Sequence, residues 1–127
     1  MKIRTEKTVF ELCDQIRQVA FQLHTYLRYG HLEKVYENGL AHRLRKAGMK
    51  VEQQKPINVY DEDGTILGEY YSDLFIEDCL IVELKACRVL VDEHTAQVLG
   101  YLRATRCRDA MLINFGSPKI QIRKLIL

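Results

Sequence analysis

The chain has 127 residues, 47% of them hydrophobic and 28% charged, with a net charge of +2. That length suits one domain spanning residues 1–127 with a real core, and the charge is too small to argue for or against nucleic acid. No apolar run approaches the ~18 residues of a membrane span, and four cysteines without C-x-x-C or finger spacing exclude a zinc module.

The opening MKIRTEKTVFELCDQIRQ is too charged for a signal peptide. The cysteines (Cys13, Cys79, Cys87, Cys107) suit a reducing, cytoplasmic setting, with Cys13 and Cys79 as buried thiols among apolar neighbours. Val9, Leu12, Cys13, Ile16, Val19, Ala20, Leu23 and Leu27 recur at helical spacing, which predicts a first helix over about Thr8 to Leu27. Thr8 and Glu11 have capping-box spacing at its start. His24 lies beside the apolar stripe and reads as a satisfied structural group. Tyr29-Gly30 breaks this helix. A second runs over about Leu32 to Ala47, with Gly48 as C-cap.

MKVEQQKPINVY is extended, and Asp61-Glu62-Asp63-Gly64 turns it into the strand TILGEYYSDLFI, then CLIVELKA. A third helix is expected from about Asp92, its N-cap, to Thr105. DAMLINF is a buried strand. Gly116-Ser117-Pro118 leads into KIQIRKLIL, an alternating last strand. The order α, α, β, β, β, α, β, β predicts an α/β fold with a mixed central β-sheet flanked by helices.

The informative feature is D-x9-E-x-K: Asp73, then Glu83-Leu84-Lys85, in stretches that otherwise look buried. An ionised group in a core is costly unless paired or bound to a metal. Glu83 and Lys85, two apart on a strand, share a face. A two-residue turn at Glu77-Asp78 would put Asp73 opposite Val82, away from Glu83. A three-residue loop (Glu77, Asp78, Cys79), or a bulge near Asp73, would bring it to the Glu83 face. Mg²⁺ takes hard oxygen ligands and keeps several waters. Asp73, Glu83 and the Leu84 carbonyl would serve it, and Mn²⁺ could replace it. Lys85 would hold the attacking water or the developing charge. The plainer reading is an ordinary Glu-Lys contact on a strand pair.

On the second helix Leu32, Tyr36, Leu40, Leu44 and Ala47 form one face, and Glu33 falls inside it with Glu37 at its edge. An acid aimed at a core suggests a paired or liganded group. The alternative for Glu33 is a first-turn acid favoured by the helix dipole. His94, Gln97 and Tyr101 form a stripe on the third helix, roughly opposite Thr95, Val98, Leu99 and Leu102. Gln97 would orient water or phosphate with Tyr101 in support, or the stripe is a half-exposed amphipathic face. Loose basic clusters (Arg43, Arg45, Lys46; Arg103, Arg106, Arg108; Lys119, Arg123, Lys124) suit phosphate contacts or ordinary solvated faces.

GHLEKVYE resembles the signature of the GxxExxY protein family, with Gly30, Glu33 and Tyr36 in the named positions. The likeness continues through QKPINVY, SDLFIEDCLIVELKA, HTAQVLGYL and LINFG, from about His24 to Arg123. That family is assigned to the PD-(D/E)XK nuclease-like superfamily, which implies a restriction-endonuclease-like core. By the same resemblance Asp73 is the first acid, Glu83 the second, Lys85 the lysine and Glu33 the acid on the helix before the sheet. Gln97 and Tyr101 match the Q-x3-Y element of RecB-like nucleases, and His94 falls where the family often carries histidine. Leu27-Arg28-Tyr29-Gly30 departs from the family's usual Leu-Gly-Pro-Gly, with no acidic position lost.

The expected function is a Mg²⁺-dependent nuclease acting on DNA or RNA, with no membrane partner. Two rivals are a non-catalytic module that binds nucleic acid or protein on the same fold, and a homodimeric structural subunit paired through KIQIRKLIL.

Overall fold

The computed structural model describes residues 6–127, with side chains from residue 8 onward. The elements follow the expected order: α1 (Glu6–Leu27), α2 (Glu33–Lys46), β1 (Val51–Tyr60), β2 (Ile66–Ile76), β3 (Leu80–Lys85), α3 (Asp92–Thr105), β4 (Asp109–Asn114) and β5 (Gln121–Ile126). The strands form one mixed sheet in chain order, β1-β2-β3-β4-β5. Only β3 and β4 are parallel; the other neighbours are antiparallel. A parallel pair needs a crossover, and α3 supplies it.

Helices cover both faces. On one side α1 and α2 pack over Leu74, Ile76, Leu80, Val82, Leu84, Met111 and Ile113. On the other, Val98, Tyr101 and Leu102 of α3 pack over Ile57, Ile81, Ala110 and Leu112. β3 and β4 are therefore apolar on both faces, as central parallel strands are. Glu83 and the terminal Lys85 are the exceptions within β3, and Glu83 is buried nonetheless.

Several boundaries differ from expectation. α1 is already helical at Glu6, so Thr8 lies inside it and the Thr8–Glu11 pair does not cap its start. Val91, not Asp92, holds the N-cap position of α3. Val91 has no side-chain acceptor; instead the His94 imidazole reaches back and accepts the Val91 N–H at Nδ1, 3.1 Å away. Cys79 is half-buried, whereas Cys13 is buried as expected, which pushes its thiol pKa up. His24 is buried and bonds the Ser117 carbonyl through Nε2 at 2.9 Å, a structural tie as expected.

At the end of α2, Gly48 at φ 90° lets its own N–H bond the Arg45 carbonyl, while the Met49 N–H bonds the Leu44 carbonyl. That is a Schellman closure, which favours glycine at this left-handed position. At its start, the Tyr36 hydroxyl donates to the Arg28 carbonyl and accepts the His31 N–H, while its ring stacks on Phe115 at 4.8 Å. Gly30 sits between these anchors at φ 112°. Gly30 and Tyr36 thus shape and pin the α1–α2 loop.

The segment after Lys85 is held from behind by β4. Buried Asn114 accepts the N–H groups of Cys87 and Gly116 at Oδ1, and donates from Nδ2 to the Cys87 carbonyl and Gln121. Gly116 presses so closely on this segment that a Cβ there would lie 2.3 Å from the Ala86 carbonyl carbon and the Cys87 nitrogen. Backbone cannot yield to that, so Gly116→Ala should destabilise the fold by about 3 kcal/mol in denaturant titration. Gly100, in α3 with open space where a Cβ would go, should behave oppositely, with Gly100→Ala stabilising by about 0.5–1 kcal/mol.

Candidate active site

The loop between β2 and β3 is Glu77-Asp78-Cys79, three residues, and the ladder pairs Ile76 with Leu80, Phe75 with Ile81 and Leu74 with Val82. This is the register that brings Asp73 to the Glu83 face. Beyond Leu74 and Val82 the backbone ladder stops, and two carboxylates take over its hydrogen bonds. The Asp73 N–H donates to Oε1 of Glu83 at 2.9 Å, and the Leu84 N–H donates to Oδ2 of Asp73 at 2.8 Å. Each acid thus holds the backbone of the other's strand.

Burial dominates the electrostatics of this pair. It pushes the Glu83 carboxyl up to about 8, with the neighbouring Asp73 charge adding to the rise and Lys85 opposing it. Asp73 is also raised, first by burial, against the bonds it accepts from Leu84 and Gln54. Two like carboxyls this close cannot both ionise freely without a proton or a cation between them.

Lys85 extends along the same face, and its Nζ donates to Oε1 of Gln97 at 3.0 Å. Nε2 of Gln97 donates to the Tyr101 hydroxyl at 3.0 Å. Tyr101 is buried against Val98 and Leu102 rather than lying opposite the apolar stripe. Burial and the two acid charges push its phenol up to about 12. The Tyr70 ring packs on it at 5.4 Å. Asp73, Glu83, Lys85, Gln97 and Tyr101 therefore converge on one cleft. His94 does not join them; it caps its own helix. Tyr36 stays in the core beneath the α1–α2 loop, and Leu84 contributes its N–H to Asp73.

The acid of α2 requires a correction. Tyr36, Glu37, Leu40, Ala41 and Leu44 are the buried face, while Leu32, Glu33 and Ala47 are exposed. Glu33 points away from the core, at the rim of the cleft, where partial desolvation and the Asp73 charge raise its carboxyl pKa and Lys85 lowers it. Glu37 is the buried acid. It accepts Lys34 Nζ at 3.0 Å and Gln53 Nε2 at 2.8 Å on Oε2, and Gln54 Nε2 at 2.7 Å on Oε1. Gln54 also reaches Oδ1 of Asp73 at 3.2 Å. Sequence reasoning passed over Gln53 and Gln54. The adjacent amides QQ in a strand were the available signal.

Among the described residues no group of three or more His, Cys, Asp or Glu side chains is placed to hold a metal ion. The donor set is two carboxylates. That suits a hard cation that keeps most of its waters, since Mg²⁺ sites use one or two carboxylates and substrate oxygens to complete the octahedron. A cavity of about 740 Å³ lies elsewhere, toward the start of β3, lined by residues such as Phe10, Phe75, Arg106, Cys107 and Lys124. It holds none of the converging groups.

A family model for the PD-(D/E)XK nuclease superfamily matches residues 10–125. The solved structure of SSO0001 superimposes with a TM-score of 0.59 at 17% identity, over 73% of this chain and 48% of that one. The chain thus spans about half the length of SSO0001, and the likeness concerns the fold. No curated protein sequence matches the chain. Among the described residues no helix is long and apolar enough to cross a membrane.

The raised carboxyl makes stability depend on pH in a known direction. Between the ordinary glutamate value of 4.5 and about 8 the folded state binds more protons at Glu83 than the unfolded state does, so metal-free stability falls as pH rises. Thermal unfolding in a chelator should show Tm declining from pH 5 to pH 8, by roughly 5 °C or more. Glu83→Gln, which keeps an oxygen for the Asp73 N–H without the charge, should flatten that decline.

Proposed function

Because this chain belongs to the PD-(D/E)XK nuclease superfamily, whose members generally use divalent metal ions, we propose that it is a Mg²⁺-dependent nuclease of the GxxExxY type that hydrolyses phosphodiester bonds of DNA or RNA. The observation that carries this reading is the buried Asp73–Glu83 pair at the point where the ladder ends, with Lys85 on the same face. A purely structural Glu–Lys contact needs no second buried acid and no break in a sheet.

Asp73 and Glu83 would hold the metal, with the Leu84 carbonyl as a further oxygen donor; Glu33, at the rim, would act on it through bound water rather than as a third carboxylate ligand. When bound, the ion lowers the pKa of water and offsets charge on the attacked phosphate. The chain's own groups do the rest. The Asp73 and Glu83 carboxylates are oriented by backbone N–H groups, so neither is free to rotate out of the cleft. The Lys85 ammonium, held by Gln97, would bind a phosphate oxygen or the attacking water and stabilise the charge that develops. Tyr101 fixes the other end of the Gln97 amide.

The net charge is +2, and the basic residues are scattered, so backbone contacts of low specificity are expected.

The test is calorimetric titration of Mg²⁺ and Mn²⁺ into wild type and Asp73→Ala, followed by incubation with labelled single- and double-stranded DNA and RNA. Wild type is expected to bind metal and cleave, and Asp73→Ala to do neither. Lys85→Ala should keep its metal affinity while the cleavage rate falls by about 100-fold or more. Nucleic-acid binding that survives Asp73→Ala, without metal binding or cleavage by wild type, would sink the nuclease reading and leave a binding module.

A further inference from the structure

We propose that Gln54 is a positioning residue for Asp73, anchored by Glu37, and that these two set the metal affinity of the site; this rests on the nuclease reading above.

Gln54 is a non-glycine residue in the middle of a strand with φ 54°. The left-handed region costs an ordinary side chain roughly 1–2 kcal/mol, and such strain persists only where its surroundings hold it. Gln54 and Asp73 also drop out of the β1–β2 ladder, which pairs Gln53 with Leu74 and Lys55 with Ser72 and is otherwise interrupted only at Val59/Tyr60 near the hairpin turn. The consequence is visible on both sides of the break. Val51 and Ile57 have the same strand parity and should share a face, yet Val51 packs with α1 and α2 while Ile57 packs with α3.

The break also lets neighbouring amides do what a regular strand forbids. Gln53 and Gln54 would point to opposite faces in an unbroken strand. Here both reach one carboxylate, Gln53 at Oε2 of Glu37 and Gln54 at Oε1. Glu37 is only 2% exposed, and with Lys34 and Gln53 also bonded to it, it is a fixed point. The remaining Gln54 amide hydrogen goes to Oδ1 of Asp73. Since the Leu84 N–H holds Oδ2, both oxygens of Asp73 are steered, one from β3 and one from β1.

A glutamine is thus kept in a strained conformation where glycine would be relaxed. If the site gains from the side chain and not from the turn, Gln54→Gly separates the two. Three proteins are compared: wild type, Gln54→Gly and Gln53→Ala. Gln53 bonds Glu37, Asn38 and Arg45 and has no bond to Asp73, so its loss costs stability while the Glu37–Gln54–Asp73 chain stays intact. Gln54→Gly is expected to keep Tm within about 3 °C of wild type, because relief of strain offsets the lost bonds. Its Mn²⁺ affinity should fall by about 10-fold or more, and kcat on any cleaved substrate should drop with KM little changed. Gln53→Ala should lower Tm and leave Mn²⁺ affinity within about 3-fold of wild type.

Unchanged Mn²⁺ affinity in Gln54→Gly overturns the proposal. So does loss of affinity in both variants in proportion to lost Tm, which is what a merely structural role predicts. If wild type binds no metal, the nuclease reading fails on its own. The contact is then read from the ¹³C carboxyl resonance of Asp73 in metal-free protein. A resonance moved by Gln54→Gly but not by Gln53→Ala supports the positioning role, and one unmoved by Gln54→Gly overturns it.

Discussion

Everything at the functional end of this protein depends on a pair of crossed hydrogen bonds between carboxylate and backbone. Where β2 and β3 stop pairing, the strands would leave N–H groups buried without partners, at a cost of about 1–3 kcal/mol each. Asp73 and Glu83 fill those places, each bonding the opposite strand. The same bonds bury two acids face to face, and burial is the first cause of their raised pKa values, with the Asp73 charge adding to the rise at Glu83. A shared proton or a bound cation offsets their charge. The end of the β2–β3 pairing and the burial of the acid pair are one physical fact.

The surroundings keep this pair in place from three directions. From β4, Asn114 and Gly116 hold the backbone just after Lys85. From α3, Gln97 receives the Lys85 ammonium, and the Tyr101 hydroxyl accepts from the Gln97 amide. From α2, Glu37 anchors the amides of β1. None of these elements contains the acid pair, yet each limits how it can move. Hydrogen bonds to charged groups in a low dielectric are strong when complete and costly when broken.

Much of the fold was legible because periodicity reports burial. Val9, Leu12, Cys13, Ile16, Ala20 and Leu23 lie buried along α1 as their spacing predicted, and the five strands and three helices came in the expected order. Periodicity was less use on α2, where a short helix with few apolar residues admits two faces only a fraction of a turn apart. Choosing Leu32 and Ala47 as members turned the predicted face toward Glu33, while packing on Phe115 and the sheet selected Tyr36, Leu40 and Leu44 and drew Glu37 inward. The places of His94 and Tyr36 were not legible for a similar reason: one hydrogen bond decides whether a polar side chain caps a helix or pins a loop.

By itself the sequence determined the class of fold, the family, and the residue types of the cleft, since D-x9-E-x-K and the apolar runs around it state both burial and charge. It left open whether Asp73 and Glu83 meet, because a two-residue and a three-residue turn differ by one position and a strand's side chains alternate with period 2. The tertiary structure settled that with the loop Glu77-Asp78-Cys79. It alone also put Glu37 inside and Glu33 at the rim, and broke the alternation of β1 at Gln54. Such choices turn on packing and hydrogen bonds between elements distant in the chain, and no local pattern carries that information.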